Sequence, residues 1–158
     1  MCDGIYFRGK KMNDEAYMEI AYQEALKALA EDEVPIGAII VYHDQIIARS
    51  YNQRQHSHQV TSHAEILCIQ QACSYLKTWR LDECVLYTTL EPCVMCSGAI
   101  IQSHIQRVVY GVSSDKWVSL DKLIHQHEHE INHVPDITAG ILEAKCSALI
   151  KNYFKNKR

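Results

Sequence analysis

Short β-rich runs alternate along this chain with longer segments of helical periodicity, and this alternation limits the folds open to it. Helices are predicted over 13–31, 63–76, 92–103 and 140–156, and strands over 36–42, 45–51, 84–89, 107–111 and 134–138. Strands that alternate with helices of this length form a sheet covered by helices on both faces. Two residues join the first two strands, which indicates a hairpin and therefore a mixed sheet. The sequence predicts an α/β fold: a three-layer α/β/α sandwich with a mixed five-stranded sheet.

Length and composition favour one globular domain. The 158 residues contain no repeat or linker, so residues 1–158 are interpreted as a single domain, with a flexible 1–12 and a C-terminal helix over 141–158. Hydrophobic residues make up 47% of the chain and charged residues 22%, which excludes a disordered chain. The longest apolar run, 36–42, is too short to span a membrane, and the charged first twenty residues do not fit a signal peptide. We therefore expect a soluble, cytoplasmic protein with no membrane partner.

The chain is weakly acidic overall but ends in a basic segment. Its formal net charge is -3, which argues against extensive coating of nucleic acid. Residues 145–158 nevertheless hold five basic residues and no acidic one. This end is interpreted either as a local contact with phosphate or as a solvated helix end that the helix dipole favours.

Two cysteines three residues apart form the centre of a candidate metal site. Cys93 and Cys96 follow Pro92 at the start of a predicted helix, and His63 starts another helix upstream. A helix N-terminus lowers the pKa of a thiol, which suits thiolate ligands, and three protein ligands leave one position of a tetrahedral zinc ion open for catalysis. Taken alone, the cysteine pair also fits a redox pair or two inert buried thiols. The seven cysteines cannot all pair within one chain.

Glu65 is the candidate proton carrier beside this metal site. It lies two residues after His63, where it can approach the metal-bound water without coordinating the metal. Water bound to zinc has a pKa near 7 and needs a neighbouring carboxylate to accept its proton. Considered in isolation, Glu65 would be interpreted as a solvated surface residue.

These motifs resemble a known enzyme family. His63-Ala64-Glu65 and Pro92-Cys93-x-x-Cys96 match the signature of the zinc nucleobase deaminases. The chain resembles the bacterial tRNA-specific adenosine deaminases from about residue 14 to its end, most closely at 33–38, 51–52, 63–66, 89–99, 107–111 and 153–154. The resemblance implies a cytidine-deaminase-like fold, one zinc ion per subunit and no nucleotide cofactor. It also implies a homodimer whose active sites each border the other subunit, with the tRNA anticodon arm as partner.

The resemblance further implies the reaction and the roles of individual residues. The reaction is deamination of adenosine to inosine at the wobble position, in which a zinc-bound hydroxide attacks C6 of the flipped-out adenine and Glu65 moves the proton to N1. The backbone N–H of Ala64 and the side chain of Asn52 orient the substrate, and Val34 forms a wall of the pocket. Asn52 is also interpreted as a plain turn residue, and Val34 as part of the core.

Four residues are candidates for contact with RNA: Lys116, Tyr153, Phe154 and Lys155. The family has a glycine-rich segment after Gly111, whereas residues 112–120 of this chain contain no glycine. Lys116 matches the family's lysine. Trp117 is interpreted as a platform on which a base stacks, or as a residue that fills a gap or a subunit contact.

Two other functions remain open. One is a deaminase of a free base or nucleoside, namely guanine, cytosine or cytidine, which the altered segment 112–120 and the acidic body favour. The other is a non-catalytic zinc-binding partner subunit, from which we would expect the proton carrier Glu65 to be missing. The basic C-terminus favours RNA, because a free base needs no electrostatic contact of this kind.

The remaining histidines and cysteines carry weaker signals. His125, His127 and His129, with His133, are interpreted as a second metal site or as a solvated, irregular surface segment, and His133 alone as structural. Cys68 and Cys73 are predicted to be small buried hydrophobic residues.

Overall fold

The computed structural model describes residues 11–158, so nearly all of the segment predicted to be flexible, 1–12, lies outside the described residues. The helices within this part are α1 (Asp14–Ala30), α2 (Arg54–Ser57), α3 (Ala64–Leu76), α4 (Val94–Ser103), α5 (Leu120–His127) and α6 (Glu143–Asn156). The strands are β1 (Gly37–Tyr42), β2 (Gln45–Tyr51), β3 (Cys84–Leu90), β4 (Arg107–Val112) and β5 (Asp136–Thr138).

The five strands form one mixed sheet in the order β2-β1-β3-β4-β5. Strand β1 runs antiparallel to both β2 and β3, while β3, β4 and β5 are parallel. His43 and Asp44 join β1 to β2 with φ values of 47° and 62°, as a two-residue hairpin of matching twist requires. Because β1 is antiparallel to its neighbours, its first residue lies at the same sheet edge as the last residues of β2 and β3.

Helices cover both faces of this sheet. On one face, Met18 of α1 and Cys146 of α6 pack against alternate sheet residues, among them Ile39 and Val109. On the other face, α3, α4 and α5 pack against the intervening residues, such as Ile40 and Leu86. The predicted three-layer α/β/α sandwich with a mixed five-stranded sheet is thus confirmed.

The end of α1 fixes the backbone that leads into β1. Asp32 has a left-handed φ of 59°, its N–H donates to the Leu29 carbonyl, and the N–H of Glu33 donates to the Ala28 carbonyl at 2.9 Å. This is the Schellman arrangement that closes many helices. Gly37 then lies so close to α1 that a Cβ there would collide with the helix backbone. The chain between α1 and β1 is therefore held in place at both ends.

Several elements differ from the sequence-based prediction in type or in bounds. Helices α4 and α6 begin at Val94 and Glu143 rather than at residues 92 and 140. Helix α2 lies in a segment predicted to be a loop, because a single turn is too short to show a period. Helix α5 places His125 and His127 on a helix rather than in an irregular segment. Strand β5 begins at Asp136 rather than at residue 134, directly after Pro135, which has no N–H to donate to a neighbouring strand.

Asp14 connects α1 to the sheet through a partly buried ion pair. Its carboxylate accepts hydrogen bonds from the Arg107 guanidinium at 2.6 and 3.0 Å and from the Tyr87 hydroxyl at 2.8 Å. The hydrogen bonds from Arg107 hold the pKa of Asp14 below its ordinary value. Such a carboxylate stabilises the fold above its unfolded-state pKa, and this contribution is lost as the pH falls through the lower folded-state pKa.

We therefore expect Asp14→Asn to reduce the free energy of unfolding by about 1–2 kcal/mol at neutral pH. The difference from the wild type should shrink as the pH falls below about 3.9, the pKa of an unfolded Asp. Urea denaturation across this pH range measures both effects. Asp82→Asn, in the exposed pair with Arg80, is the control and should leave stability nearly unchanged. An Asp14→Asn protein as stable as the wild type at neutral pH would contradict the prediction.

Candidate active site

The predicted metal ligands meet where two helices begin. His63 is the N-cap residue of α3, and Cys93 is the N-cap residue of α4 with Cys96 in the first turn of that helix. Both helices lie on the same face of the sheet and contact each other. Because β3 ends at Leu90, the chain enters α4 at the sheet edge where β1 begins. The fold thus brings together two motifs that are about 30 residues apart in sequence.

The donor atoms of these three residues have the spacing of a tetrahedral metal site. The Nδ1 atom of His63 lies 3.6 Å from Cys93 Sγ and 3.5 Å from Cys96 Sγ. Zinc–sulfur and zinc–nitrogen bonds of about 2.3 and 2.0 Å at a tetrahedral angle require a nitrogen–sulfur separation of about 3.6 Å. Within residues 11–158, no other group of three His, Cys, Asp or Glu donors lies this close together. The residues present therefore fit a metal ion with nitrogen and sulfur ligands.

The electrostatics of the cluster favour a thiolate. The pKa of Cys93 falls to about 4, chiefly because the Cys96 side chain hydrogen-bonds to it and also because of His63. The pKa of His63 is raised, first by its hydrogen bond with Cys93. The thiolate is the form of cysteine that binds metals. The same hydrogen bond raises the pKa of Cys96, so without a cation the cluster favours one thiolate, at Cys93.

Glu65 lies beside the donors but outside the group they form. It is the second residue of α3, only 4% exposed, and its carboxyl interacts with the side chain of Cys96. Burial raises the pKa of Glu65, since the low-dielectric surroundings disfavour the charged form. The site therefore contains a buried acid that is separate from the three candidate metal donors.

Asn52 and Val34 lie next to each other at the same sheet edge. The Asn52 side chain is buried, its Nδ2 donates to the Val34 carbonyl at 3.2 Å, and its Oδ1 accepts from the Arg54 N–H at 3.2 Å. The second bond is the kind a turn residue makes, so that interpretation of Asn52 describes part of its role. An amide has two N–H groups and two lone pairs, which leaves one of each for a substrate. Val34 is half-buried, as a pocket wall would be.

Ala64 is the first residue of α3 and is fully buried. The N–H groups in the first turn of a helix have no partner within the helix. The backbone N–H of Ala64 is thus placed beside His63 as a donor available to a ligand. The structure brings Ala64, Asn52 and Val34 to the same sheet edge as the metal-binding group.

The candidate RNA contacts lie on two segments near the site. Lys116 is exposed in the segment 112–120, which runs past the metal site because Ser119 bridges to Cys93. Trp117 is 77% exposed, so it fills no gap within the described part of this chain. It is free to contact either a base or another subunit.

Helix α6 attaches the basic C-terminus to the segment between α1 and β1. The Tyr153 hydroxyl donates to the Asp32 carbonyl at 3.2 Å, and Lys157 forms an ion pair with the Asp32 carboxylate at 2.6 Å. Asp32 is two residues before Val34, so these contacts attach the end of α6 to the segment that carries Val34. Phe154 and Lys155 are exposed on this helix.

Sequence reasoning missed three polar residues at this edge: Glu33, Arg54 and Glu91. Arg54 is exposed on α2, and its positive charge opposes the rise in the pKa of His63. Burial raises the pKa of Glu91, and its Oε2 has no hydrogen-bond partner among the described residues. Two sequence signals could have identified two of these residues. Arg54 lies two positions after Asn52, and Glu91 directly precedes Pro92.

The weaker candidates resolve into separate roles. His133 donates to the Ile105 carbonyl at 2.7 Å, which fits the structural interpretation. His125, His127 and His129 are exposed, and they form no second metal-binding group within the part of the chain that the structure describes. Cys68 is buried as predicted, whereas Cys73 is only half-buried. No described helix combines the length and hydrophobicity of a membrane span.

The α/β/α fold and the two helix-borne motifs define a nucleobase deaminase. The family model for MafB19-like deaminases matches residues 12–158. The tRNA-specific adenosine deaminase of Bacillus subtilis is 41% identical over 146 residues, which cover 92% of this chain and 91% of that protein. The chain belongs to the family of tRNA-specific adenosine deaminases.

Two solved structures share this fold. One comes from studies of A-to-I editing by tRNA:A34 deaminases at the wobble position of transfer RNA. It is 40% identical, with a TM-score of 0.79, and the match covers 84% of this chain and 97% of that one. The other, a guanine deaminase from Nitrosomonas europaea, is 26% identical with a TM-score of 0.77, and its match covers 88% of this chain and 83% of that one. The fold is therefore shared by enzymes with different substrates.

Proposed function

We propose that this chain is a zinc-dependent hydrolase that deaminates adenosine to inosine at the wobble position of tRNA. The observation that carries the proposal is the His63-Cys93-Cys96 donor group with the buried acid Glu65 beside it, in a chain 41% identical to a tRNA-specific adenosine deaminase. Because the substrate is tRNA, we place the reaction in the cytoplasm.

Zinc is the metal that suits this donor set best. The donors are one imidazole nitrogen and two cysteine sulfurs, and each sulfur lies 3.5–3.6 Å from the nitrogen. This set favours a borderline-soft ion in tetrahedral geometry. Three protein donors leave one position open, as in catalytic zinc sites. When bound, zinc would lower the pKa of a coordinated water to near 7, and this water would then be a nucleophile at neutral pH.

Glu65 moves the protons of the reaction. Water adds at C6 of adenine, and Glu65 accepts its proton and delivers it to N1. Glu65 then takes the proton of the new C6 hydroxyl and gives it to the exocyclic nitrogen. The bond between C6 and that nitrogen breaks, ammonia leaves, and the base becomes hypoxanthine. Because burial raises the pKa of Glu65, the carboxyl group can both accept and hold a proton during this sequence.

The pocket residues orient the base. The free N–H and lone pair of the Asn52 amide face the substrate, and the Ala64 N–H donates to it. Val34 restricts the base from one side. Stacked bases inside an RNA helix cannot reach such a pocket, so the adenosine must be unstacked and turned out of the loop.

The exposed segments around the pocket bind the RNA. The end of α6, with Tyr153, Phe154 and Lys155, offers aromatic and basic groups beside Asp32, two residues from Val34, and Lys116 offers a further cation. We also propose a homodimer in which the partner subunit completes the rim of each site.

Inosine formation in an anticodon-arm hairpin with a wobble adenosine tests the proposal. We expect turnover of the hairpin, no turnover of free adenosine, guanine, cytosine or cytidine, and no activity in the Glu65→Ala control. Guanine deamination with an untouched hairpin would instead support the rival function, which the similarity to the Nitrosomonas europaea guanine deaminase favours. Bound zinc without turnover of any substrate would indicate a non-catalytic subunit.

A further inference from the structure

Glu33 is a buried carboxylate at the edge of the candidate active site. The catalytic scheme given above assigns it no role. It is only 1% exposed and directly precedes Val34. Its Oε1 accepts a hydrogen bond from the His56 N–H at 2.6 Å, and its Oε2 accepts one from the Gln55 N–H at 3.2 Å. A buried carboxylate is costly unless hydrogen bonds satisfy it, so these two contacts fix its orientation.

These contacts stabilise the one-turn helix α2 through a side chain that belongs to a different part of the chain. The first N–H groups of a helix need acceptors, and the N-cap residue Gln53 makes no capping hydrogen bond with its side chain. Glu33 supplies the acceptors from 22 and 23 residues away in the sequence. An isolated turn of four residues is unstable, so α2 depends on this contact.

The segment that Glu33 holds contains Asn52 and leads to His63. Asn52 is attached to the same strand entry by two further hydrogen bonds, from its N–H to the Ile36 carbonyl at 3.0 Å and from its Nδ2 to the Val34 carbonyl. Its Oδ1 accepts from the N–H of Arg54, the first residue of α2. A displacement of α2 would therefore remove one of the two hydrogen bonds that orient the Asn52 amide.

The position of Glu33 is itself rigid. The Schellman end of α1 fixes its backbone, and the close packing of Gly37 against α1 fixes the chain a few residues later. Glu33 therefore fixes the loop that carries Asn52 relative to α1 and β1.

We propose that Glu33 is a positioning residue that holds Asn52 in the orientation needed to bind the reacting base. It does so by bracing α2, and it does not touch the substrate. This inference rests on the proposed function, because Asn52 has a substrate to orient only if the chain deaminates a base.

Glu33→Gln tests the inference, because glutamine keeps the size of the side chain but replaces one acceptor oxygen with a donor. The matched control is Glu24→Gln. Glu24 is a carboxylate on α1 that is 2% exposed and pairs with Arg49 and Lys27, and it forms no hydrogen bond or ion pair with the described residues of α2. Glu33→Asp, which keeps the charge but shortens the reach, is the second variant should Glu33→Gln fail to fold.

The first measurement is amide hydrogen exchange at Gln55 and His56, which requires no substrate. We expect the Glu33 variants to exchange about tenfold faster at these two amides, while Glu24→Gln leaves them unchanged. Unchanged amide exchange at Gln55 and His56 in the Glu33 variants would overturn the inference that Glu33 stabilises α2.

The second measurement is deamination of the hairpin by Glu33→Gln, Asn52→Ala and the double variant. Misplacing an orienting group by about 1 Å costs up to about 100-fold, so we expect kcat to fall 10- to 100-fold with KM within about threefold and metal content unchanged. In the Asn52→Ala background, Glu33→Gln should lower kcat by less than about threefold.

Multiplicative losses in the double variant, or an equal loss in Glu24→Gln, would overturn the inference. A wild-type protein that makes no inosine would instead overturn the proposed function, while the exchange measurement would still decide whether Glu33 braces α2.

Discussion

Replacing Glu65 with glutamine should lower kcat for inosine formation by about 10³-fold and leave the bound metal in place. Glutamine has the size of glutamate but cannot accept the proton of the attacking water or deliver it to N1. Glu65 is 4% exposed, so bulk solvent cannot readily take over the transfer. The variant should fold as the wild type does, because the amide fits the same space.

Two controls make the Glu65 result specific. Glu24→Gln removes an equally buried carboxylate on the opposite layer and should retain most of the activity. Metal content, measured by atomic emission, should equal that of the wild type, because Glu65 is not part of the donor group. Activity of Glu65→Gln within about tenfold of the wild type would contradict its role as proton carrier.

Removing one metal ligand should have the second large effect. Cys96→Ala deletes a fully buried donor, so we expect loss of the bound metal and of detectable inosine formation. An ion at about 1,000 times its dissociation constant stabilises the folded state by about 4 kcal/mol, so the unfolding temperature should fall as well. Chelation of the wild type should reproduce all three losses.

Restoring the ion separates ligand loss from damage to the fold. Zinc added to the chelated wild type should restore activity and thermal stability, whereas Cys96→Ala should recover neither. Cys73→Ser, a half-buried cysteine elsewhere on α3, should keep both metal and activity. A Cys96→Ala protein that retains one metal ion per chain and full activity would exclude the proposed metal site.

Long regular elements could be predicted from the sequence. The i, i+3, i+4 pattern and the Asn13 cap indicate α1, and Asn13 indeed accepts a hydrogen bond from the Ala16 N–H at 2.9 Å. These signals are local, because each depends on residues within one or two helical turns. Helix α5 was missed because it is short and buries only Leu120 and Ile124.

The catalytic motifs could also be predicted, because their chemistry fixes short spacings. A cysteine pair three residues apart and a glutamate two residues after a histidine are visible without a structure. The contacts that arrange the pocket are different, since they join residues far apart in the sequence. Glu33 reaches Gln55 and His56, and Tyr153 reaches Asp32 across 121 residues.

The sequence by itself thus determined the layers of the fold, and it pointed to the candidate donor residues and the class of chemistry. Periodicity, capping and motif spacing are properties of neighbouring residues, and they are readable before the chain is folded. Only the tertiary structure decided that Glu33 supports α2, that the end of α6 is attached to Asp32, and that Asp14 joins α1 to the sheet. A hydrogen bond between distant residues depends on where the packed core places both partners, and no local pattern records that position.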